Sequence, residues 1–192
     1  MNQVIRGVSV PKIGLGTWEL SGDECIETIR QAAEIGYRHF DTAVRYANEE
    51  SVGTGLAQTG LPRNELFVTT KVWITDLAKE SINEVVGRSL DRLRLDYVDL
   101  LLIHWPSPHF TVQYTVESLS IAKTAGQALN IGVSNYPPKL LRDALSHAEH
   151  HGHKYVKRIK RIVARQQPVW HQNMAIKIKP KTTKRNFGIE KS

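Results

Sequence analysis

The sequence predicts an α/β fold built from short strands that alternate with helices. Between residue 10 and about residue 150, five apolar runs of strand length are each followed by a segment whose apolar residues recur at the helical spacing. Hydrophobic residues make up 41% of the 192-residue chain and charged residues 23%, a balance that allows a buried core and argues against global disorder. Strands that alternate with helices pair in parallel through right-handed crossovers. A closed (β/α)8 barrel and an open, doubly wound sheet both satisfy this pattern.

Start and stop signals bound the first two helices. Ser21 and Glu24 form a capping-box pattern ahead of the first helix, and Gly36 ends it. Asn48 is of a residue type that caps helices, and it precedes the second helix, which we expect over residues 49–58. The predicted strands cover residues 12–17, 38–41, 66–71, 98–104 and 129–135, and the later helices cover about residues 79–94, 115–125 and 138–149.

Four side chains of different chemistry stand at or just after the ends of these strands. Asp41, Lys71 and His104 each close a predicted strand, and Tyr46 lies in the loop that follows Asp41. Because the C-terminal ends of parallel barrel strands converge on one face, an acid, a phenol, an amine and an imidazole meet there in one cleft. A cationic lysine beside a phenol favours the phenolate, which makes the phenol a better proton donor. The set suits proton donation to a carbonyl oxygen.

The charge of the chain changes near residue 150. Residues 151–192 carry twelve lysines and arginines against one acid, whereas the first 150 residues have a net charge of −4. Three more strand–helix units would need roughly 90 residues, at about 30 per unit, but only 42 residues follow residue 150. We therefore expect a partial barrel of about five units over residues 1–149 and an irregular basic segment over residues 150–192. Either the barrel is incomplete or the fold is not a barrel.

Six sequence motifs lie in order at residues 14–18, 36–49, 69–73, 93–100, 103–106 and 131–135. Their order and spacing resemble those of the aldo-keto reductase superfamily. Residues 61–66 and 104–108 are especially similar to bacterial 2,5-diketo-D-gluconate reductases of the B type. The resemblance implies a (β/α)8 barrel that binds NADPH without a Rossmann fold and reduces aldehydes or ketones to alcohols. Small keto sugars and α-dicarbonyls are the expected substrates.

The resemblance also implies a role for each of the four strand-end residues. Tyr46 would be the proton donor, and Lys71 would make its phenol more acidic. Asp41 would pair with that lysine, and His104 would orient the carbonyl group. The implied substrate-binding residues, whose rings would wall an apolar pocket, are Trp18, Trp73, His104 and Trp105.

The residues that the resemblance assigns to NADPH fall into two main groups. Ser134 and Asn135 would hold the nicotinamide carboxamide. Lys181, Thr182 and Arg185 would clamp the adenosine 2′-phosphate. The complete predicted cofactor set is Gly16, Thr17, Asp41, Ser134, Asn135, Gln167, Lys181, Thr182 and Arg185.

The C-terminal region departs from the family pattern. Residues 166–171 are a loose echo of the motif on the family's sixth strand, and residues 180–186 resemble its phosphate clamp. The family inserts a strand, two helices and loops between these motifs, but here they are about ten residues apart. The chain therefore resembles a reductase with an internal deletion or a rearranged C-terminal region. Three hypotheses follow: an NADPH-dependent carbonyl reductase, a catalytically inactive remnant of one, and a polyanion-binding protein that uses its basic tail.

The remaining features favour a cytoplasmic location and no membrane partner. A monomer that acts on a small carbonyl compound is what the resemblance implies, and a nucleic-acid partner is the least favoured of the hypotheses. No apolar run approaches the ~20 residues of a membrane span, and the N-terminus has no secretory signal. The one cysteine, Cys25, lies on the apolar face of the first helix, where we expect a buried thiol. His147 and His151 have the spacing of a helical metal site, but no further ligand stands near them, so no metal site is predicted.

Overall fold

The computed structural model describes residues 2–5 and 8–150, which hold seven strands and five α-helices. Two short 3₁₀ helices, Val44–Tyr46 and Arg63–Glu65, lie between them. The strands are β1 Asn2–Ile5, β2 Val8–Pro11, β3 Leu15–Gly16, β4 His39–Asp41, β5 Phe67–Val72, β6 Val98–Ile103 and β7 Ala128–Val133. The helices are α1 Gly22–Glu34, α2 Glu49–Gln58, α3 Ile82–Leu93, α4 Val112–Thr124 and α5 Pro138–His150. Apart from residue 150, the predicted basic segment lies outside the described residues.

Five strands form one parallel sheet in chain order, β3-β4-β5-β6-β7. Asp41 lies opposite Thr69, and Lys71 lies opposite Leu102. Each strand–helix unit therefore steps in the same direction across the sheet. A doubly wound sheet reverses its strand order at a switch point, and the described sheet has no such reversal. The sheet is thus part of a (β/α)8 barrel, and the prediction of five parallel strands is confirmed.

The two faces of this sheet carry different side chains. Phe40, Val68 and Leu101 are fully buried in the core that the sheet shares with the helices. Because successive strand residues point to opposite faces, Asp41 and Lys71 lie on the inner face, away from the helices. Helix α3 packs the apolar stripe that its sequence predicts, and its buried apolar residues are Ile82, Val85, Val86, Leu90 and Leu93.

An N-terminal hairpin is present that the sequence analysis did not predict. Strands β1 and β2 pair antiparallel. Val10 of β2 is buried together with Phe67, Leu100 and Leu102, so the hairpin packs on the inner face of the sheet. The predicted first strand over residues 12–17 is wrong in extent, since β3 covers only Leu15–Gly16 and the hairpin before it ends at Pro11.

Two helix starts also differ from the prediction. Helix α3 begins about three residues later than expected, since residues 79–81 form a turn in which the backbone N–H of Ser81 donates to the Ala78 carbonyl oxygen at 3.2 Å. Helix α4 begins three residues earlier than expected, because Thr111 caps it. The Thr111 Oγ1 atom accepts a hydrogen bond from the backbone N–H of Tyr114 at 3.2 Å.

Three minor expectations concern a thiol, membrane helices and metal ligands. Cys25 is fully buried, and burial raises the pKa of its thiol to about 11, so the prediction of a buried thiol is confirmed. Within residues 2–5 and 8–150, no helix has the length and apolar content needed to cross a bilayer. His147 pairs with Asp143, with 3.1 Å between Nε2 and Oδ1. No group of three metal-ligating side chains occurs in the part of the chain that the structure describes, and His151 lies outside it.

Candidate active site

Lys71 is the centre of a polar cluster at the C-terminal ends of the strands. Its Nζ atom donates to Asp41 Oδ1 at 2.5 Å, to the Thr42 carbonyl oxygen at 2.8 Å and to Tyr46 Oη at 3.3 Å. Asp41 ends β4, Lys71 lies next to the end of β5, and Tyr46 ends the 3₁₀ helix after β4. The structure therefore brings together the acid, the amine and the phenol that the sequence places near strand ends.

The charge state of Lys71 follows from its surroundings. Burial opposes the charged form of this 6%-exposed residue, but the Asp41 carboxylate and the Tyr46 oxygen outweigh burial and raise the pKa of Lys71. Lys71 is thus an ammonium group at neutral pH. An ammonium has three N–H donors, and here all three have acceptors. The bond to Tyr46 uses the phenol oxygen as an acceptor, so the Tyr46 proton is available for another group.

His104 follows β6 and completes the cluster. Its ring centre lies 5.5 Å from that of Tyr46 and 5.4 Å from that of Trp73, edge to face in both cases. Burial and, secondarily, the charge of Lys71 lower the pKa of His104 to about 4, so the imidazole is neutral at neutral pH. Nothing among the described residues hydrogen-bonds its Nδ1 atom. The Asn135 side chain holds the backbone here, donating to the His104 carbonyl oxygen at 2.9 Å.

Two of the three predicted tryptophans flank the cluster. The ring centre of Trp18 lies 4.9 Å from that of Tyr46, and Trp73 contacts His104. Trp105 is 48% exposed, and within the described chain no ring contact joins it to the cluster. The apolar wall that the sequence predicts therefore consists of two indoles in this structure.

Asn48 connects the loops that carry these side chains. Its Oδ1 atom accepts from Thr42 Oγ1 at 2.8 Å, and its Nδ2 atom donates to the carbonyl oxygens of Thr17 at 2.7 Å and Leu20 at 2.9 Å. Asn48 occupies the N-cap position of α2 that the sequence predicts, but its side chain makes these long-range bonds and no capping bond. The predicted cap at Ser21 is also not made by its side chain.

Glu49 forms a second buried network behind the cluster. Its side chain is almost fully buried and accepts hydrogen bonds from Thr70 at 2.6 Å, from Ser89, and from Arg92 Nη2 at 2.6 Å. Thr70 directly precedes Lys71, so this carboxylate ties the strand that holds the lysine to α2 and α3. Its burial is offset by full hydrogen bonding and an arginine partner. The sequence analysis assigned Glu49 no role.

Comparison with known proteins identifies this arrangement. The sequence profile of the Aldo/keto reductase family matches residues 12–168. This chain belongs to the aldo-keto reductase family. It is similar to the methylglyoxal reductase DkgB of Escherichia coli O157:H7, with 43% identity over 141 residues, which are 72% of this chain and 53% of that protein. The chain thus spans about half the length of the curated relatives it matches.

Solved aldo-keto reductase structures share the fold. A putative 2,5-diketo-D-gluconic acid reductase B has a TM-score of 0.71 and 36% identity, over 74% of this chain and 51% of that one. An aldo-keto reductase of Bombyx mori, solved in complex with NADP, has a TM-score of 0.68 and 34% identity, over 76% of this chain and 54% of that one. These matches confirm the fold class and the resemblance to B-type reductases.

The residues that an aldo-keto reductase would need for NADPH are only partly described. Gly16 is exposed at the end of β3, and Ser134 and Asn135 are half-buried just after β7, next to the strand that leads to His104. Thr17 is fully buried and donates its hydroxyl to the Asp41 carbonyl oxygen at 3.2 Å, so its side chain supports the scaffold. The remaining predicted cofactor residues lie outside the described chain; they are Gln167, Lys181, Thr182 and Arg185.

The described cofactor residues fit the chemistry of a carboxamide. A hydroxyl and a side-chain amide stand together at the end of β7, where the Asn135 Nδ2 atom donates to Ser134 Oγ at 3.2 Å. Both side chains are partly exposed, and that of Asn135 is bonded to the backbone of His104. Amides and hydroxyls are the usual partners for the amide group of a ligand.

Proposed function

We propose that this chain reduces aldehydes and ketones to alcohols with NADPH. One observation carries the proposal: Lys71 is bonded to both Asp41 and Tyr46, and His104 lies in ring contact with Tyr46. This arrangement presents one proton donor, one fixed cation and one neutral imidazole to the same space. Together they can stabilise the negative charge that develops on a carbonyl oxygen as it is reduced.

Each residue of the chain has a distinct part in the proposed reaction. Tyr46 donates its proton to the carbonyl oxygen. Lys71 remains an ammonium through its pairing with Asp41 and stabilises the phenolate that Tyr46 becomes. His104, neutral at neutral pH, provides a second hydrogen bond that orients the carbonyl group.

NADPH, when bound, supplies the hydride that attacks the carbonyl carbon. Ser134 and Asn135 would hold its carboxamide. The preference for NADPH over NADH rests on Lys181, Thr182 and Arg185, whose charges suit a 2′-phosphate. Equal turnover with the two cofactors would remove that assignment.

The proposed substrates are small polar α-dicarbonyls or keto sugars. The printed name of the Escherichia coli relative, a methylglyoxal reductase, supports an α-dicarbonyl. The indole rings of Trp18 and Trp73 flank the cluster and provide an apolar surface on which a short carbon chain can pack.

The test is a comparison of two Tyr→Phe variants. Tyr46→Phe removes the proposed proton donor, whereas Tyr97→Phe removes a phenol whose ring contacts Arg63, at 4.1 Å from ring centre to guanidinium. With methylglyoxal, we expect the wild type and Tyr97→Phe to oxidise NADPH. We expect Tyr46→Phe to be slower by about 10²–10⁴-fold with unchanged NADPH binding by fluorescence. A folded wild type that oxidises no NADPH would refute the proposed activity, and an active Tyr46→Phe would refute the role of Tyr46.

A further inference from the structure

Arg45 places a positive charge at the rim of the candidate site. It directly precedes Tyr46 and is exposed. Its guanidinium carbon lies 5.3 Å from the centre of the Trp73 ring, and that ring centre lies 5.4 Å from the centre of the His104 ring. The Trp73 ring therefore contacts both the guanidinium of Arg45 and the imidazole that is proposed to orient the carbonyl group.

No acid among the described residues pairs with Arg45. Arg45 forms no ion pair and no side-chain hydrogen bond with the part of the chain that the structure describes, and its guanidinium lies against the face of Trp73. The positive charge of Lys71, by contrast, is matched by Asp41. Several other arginines of the described chain hold carboxylates, among them Arg63 with Asp99, Arg88 with Glu84, and Arg92 with Glu49.

The contact with Trp73 also restrains the guanidinium. A cation over an indole face is held by the ring quadrupole, and the flat guanidinium stacks on such a ring. A restrained arginine loses less freedom when it binds an anion than a freely rotating surface side chain does. Its N–H groups form a fork that matches the two oxygens of a carboxylate.

We infer that Arg45 makes the site selective for carbonyl compounds that carry a carboxylate a few bonds away from the reacting carbonyl. The inference rests on the proposed function and adds a substrate class to it. The carbonyl group of such a compound would lie against Tyr46 and His104, and its carboxylate would pair with Arg45 across the edge of Trp73. A neutral aldehyde of the same length would lack this second contact.

The kinetic test compares succinic semialdehyde with its methyl ester, two aldehydes that differ in the negative charge. We expect the wild type to have a kcat/KM about tenfold higher for the acid than for the ester, mainly through KM. Arg45→Gln should remove this preference, and Arg45→Lys should keep part of it, because lysine retains the charge without the fork. Added salt should weaken the preference.

The control is Arg88→Gln, which removes the same charge from an exposed position on α3. We expect it to leave the ratio of the two substrates at the wild-type value. An equal preference for the acid in the wild type and in Arg45→Gln would overturn the inference. A wild type that prefers the ester would overturn it as well.

A binding measurement separates this inference from the proposed function. Succinate should change the tryptophan fluorescence of the wild type, whereas dimethyl succinate should not, and Arg45→Gln should weaken succinate binding about tenfold. If the folded wild type reduces neither aldehyde but shows this difference in binding, the proposed activity fails and the anion site stands. If Arg45→Gln binds succinate as the wild type does, the anion site fails whatever the activity.

Discussion

The inner face of the sheet has two ends that share strands and differ in chemistry. Toward the N-terminal end, Phe67 and Leu100 are buried beneath Val10 of the hairpin. Toward the C-terminal end, Lys71 of β5 and His104 after β6 lie in the polar cluster. Residues 67 and 71 are four apart on one strand, so both face inward. One face of the same strands thus supports packing at one end and chemistry at the other, as in barrels generally.

The largest expected effect is on activity, at the polar end. Lys71→Met removes the cation beside Tyr46 but keeps a side chain of similar length. Under the proposed function, we expect the kcat of the folded enzyme to fall by about 10²–10⁴-fold. The free energy of unfolding should fall as well, because the Asp41 carboxylate loses its partner. The matched control is Lys79→Met, which breaks a pair with Glu117 outside the cluster. A Lys71→Met enzyme within tenfold of the wild-type kcat would contradict the role assigned to the lysine.

The next effect is on stability, at the apolar end. Leu100→Ala leaves a cavity beneath the hairpin, and we expect it to lower the free energy of unfolding by about 2–5 kcal/mol. The activity of each folded molecule should stay near that of the wild type. Leu129→Ala, at a 50%-exposed position on β7, should change stability by less than about 1 kcal/mol. Urea unfolding of both variants measures the difference, and equal losses would show that the inner face is not packed at this end.

The smallest expected effect is a dependence of folding stability on pH. It comes from a buried histidine on the inner face of β4. His39 is 2% exposed and lies 3.1 Å from Thr69 Oγ1. Burial, with a smaller contribution from the charge of Lys71, lowers the pKa of His39 from 6.5 to about 4, although Asp41 acts in the opposite sense. The unfolded chain therefore binds a proton that the folded chain does not. Stability is lost as the pH falls from about 6.5 to about 4, by up to about 3 kcal/mol from His39.

Replacement of His39 tests whether this residue causes the loss of stability at low pH. In His39→Gln, the unfolding free energy should fall less steeply between pH 6.5 and pH 4 than in the wild type. His109→Gln, at an exposed position, should keep the wild-type slope. Identical slopes in His39→Gln and the wild type would show that His39 is not the group that titrates.

The parts of the site that could be predicted are those that depend on position along a strand. Asp41, Lys71 and His104 close apolar runs, and parallel pairing alone brings such residues together. The missed parts depend on contacts between distant segments. Asn48 bonds to Thr17, 31 residues away, and Glu49 bonds to Arg92, 43 residues away. No local pattern distinguishes such a residue from a helix cap or a solvent-exposed acid.

The N-terminal hairpin and the helix starts were missed for a related reason. Strands β1 and β2 have four residues each, and a two-stranded hairpin of that length is marginal without a surface to pack against. That surface is the sheet under Val10, which the local sequence does not indicate. The turn at residues 79–81 before α3 is likewise held by a long-range contact, from the Lys79 backbone N–H to the Tyr114 hydroxyl, 35 residues away. Arg45 was passed over because an exposed arginine is ordinary until the ring beneath it is known.

The fully bonded state of Lys71 also bears on the chemical durability of the site. A free amine beside an aldehyde attacks it and forms an imine, which would consume the lysine. The three N–H groups of Lys71 donate hydrogen bonds to Asp41, Thr42 and Tyr46. Its raised pKa keeps the nitrogen protonated. An ammonium has no lone pair with which to attack a carbonyl carbon. The bonds that make this residue a useful cation therefore also protect it from the electrophiles that the site is proposed to receive.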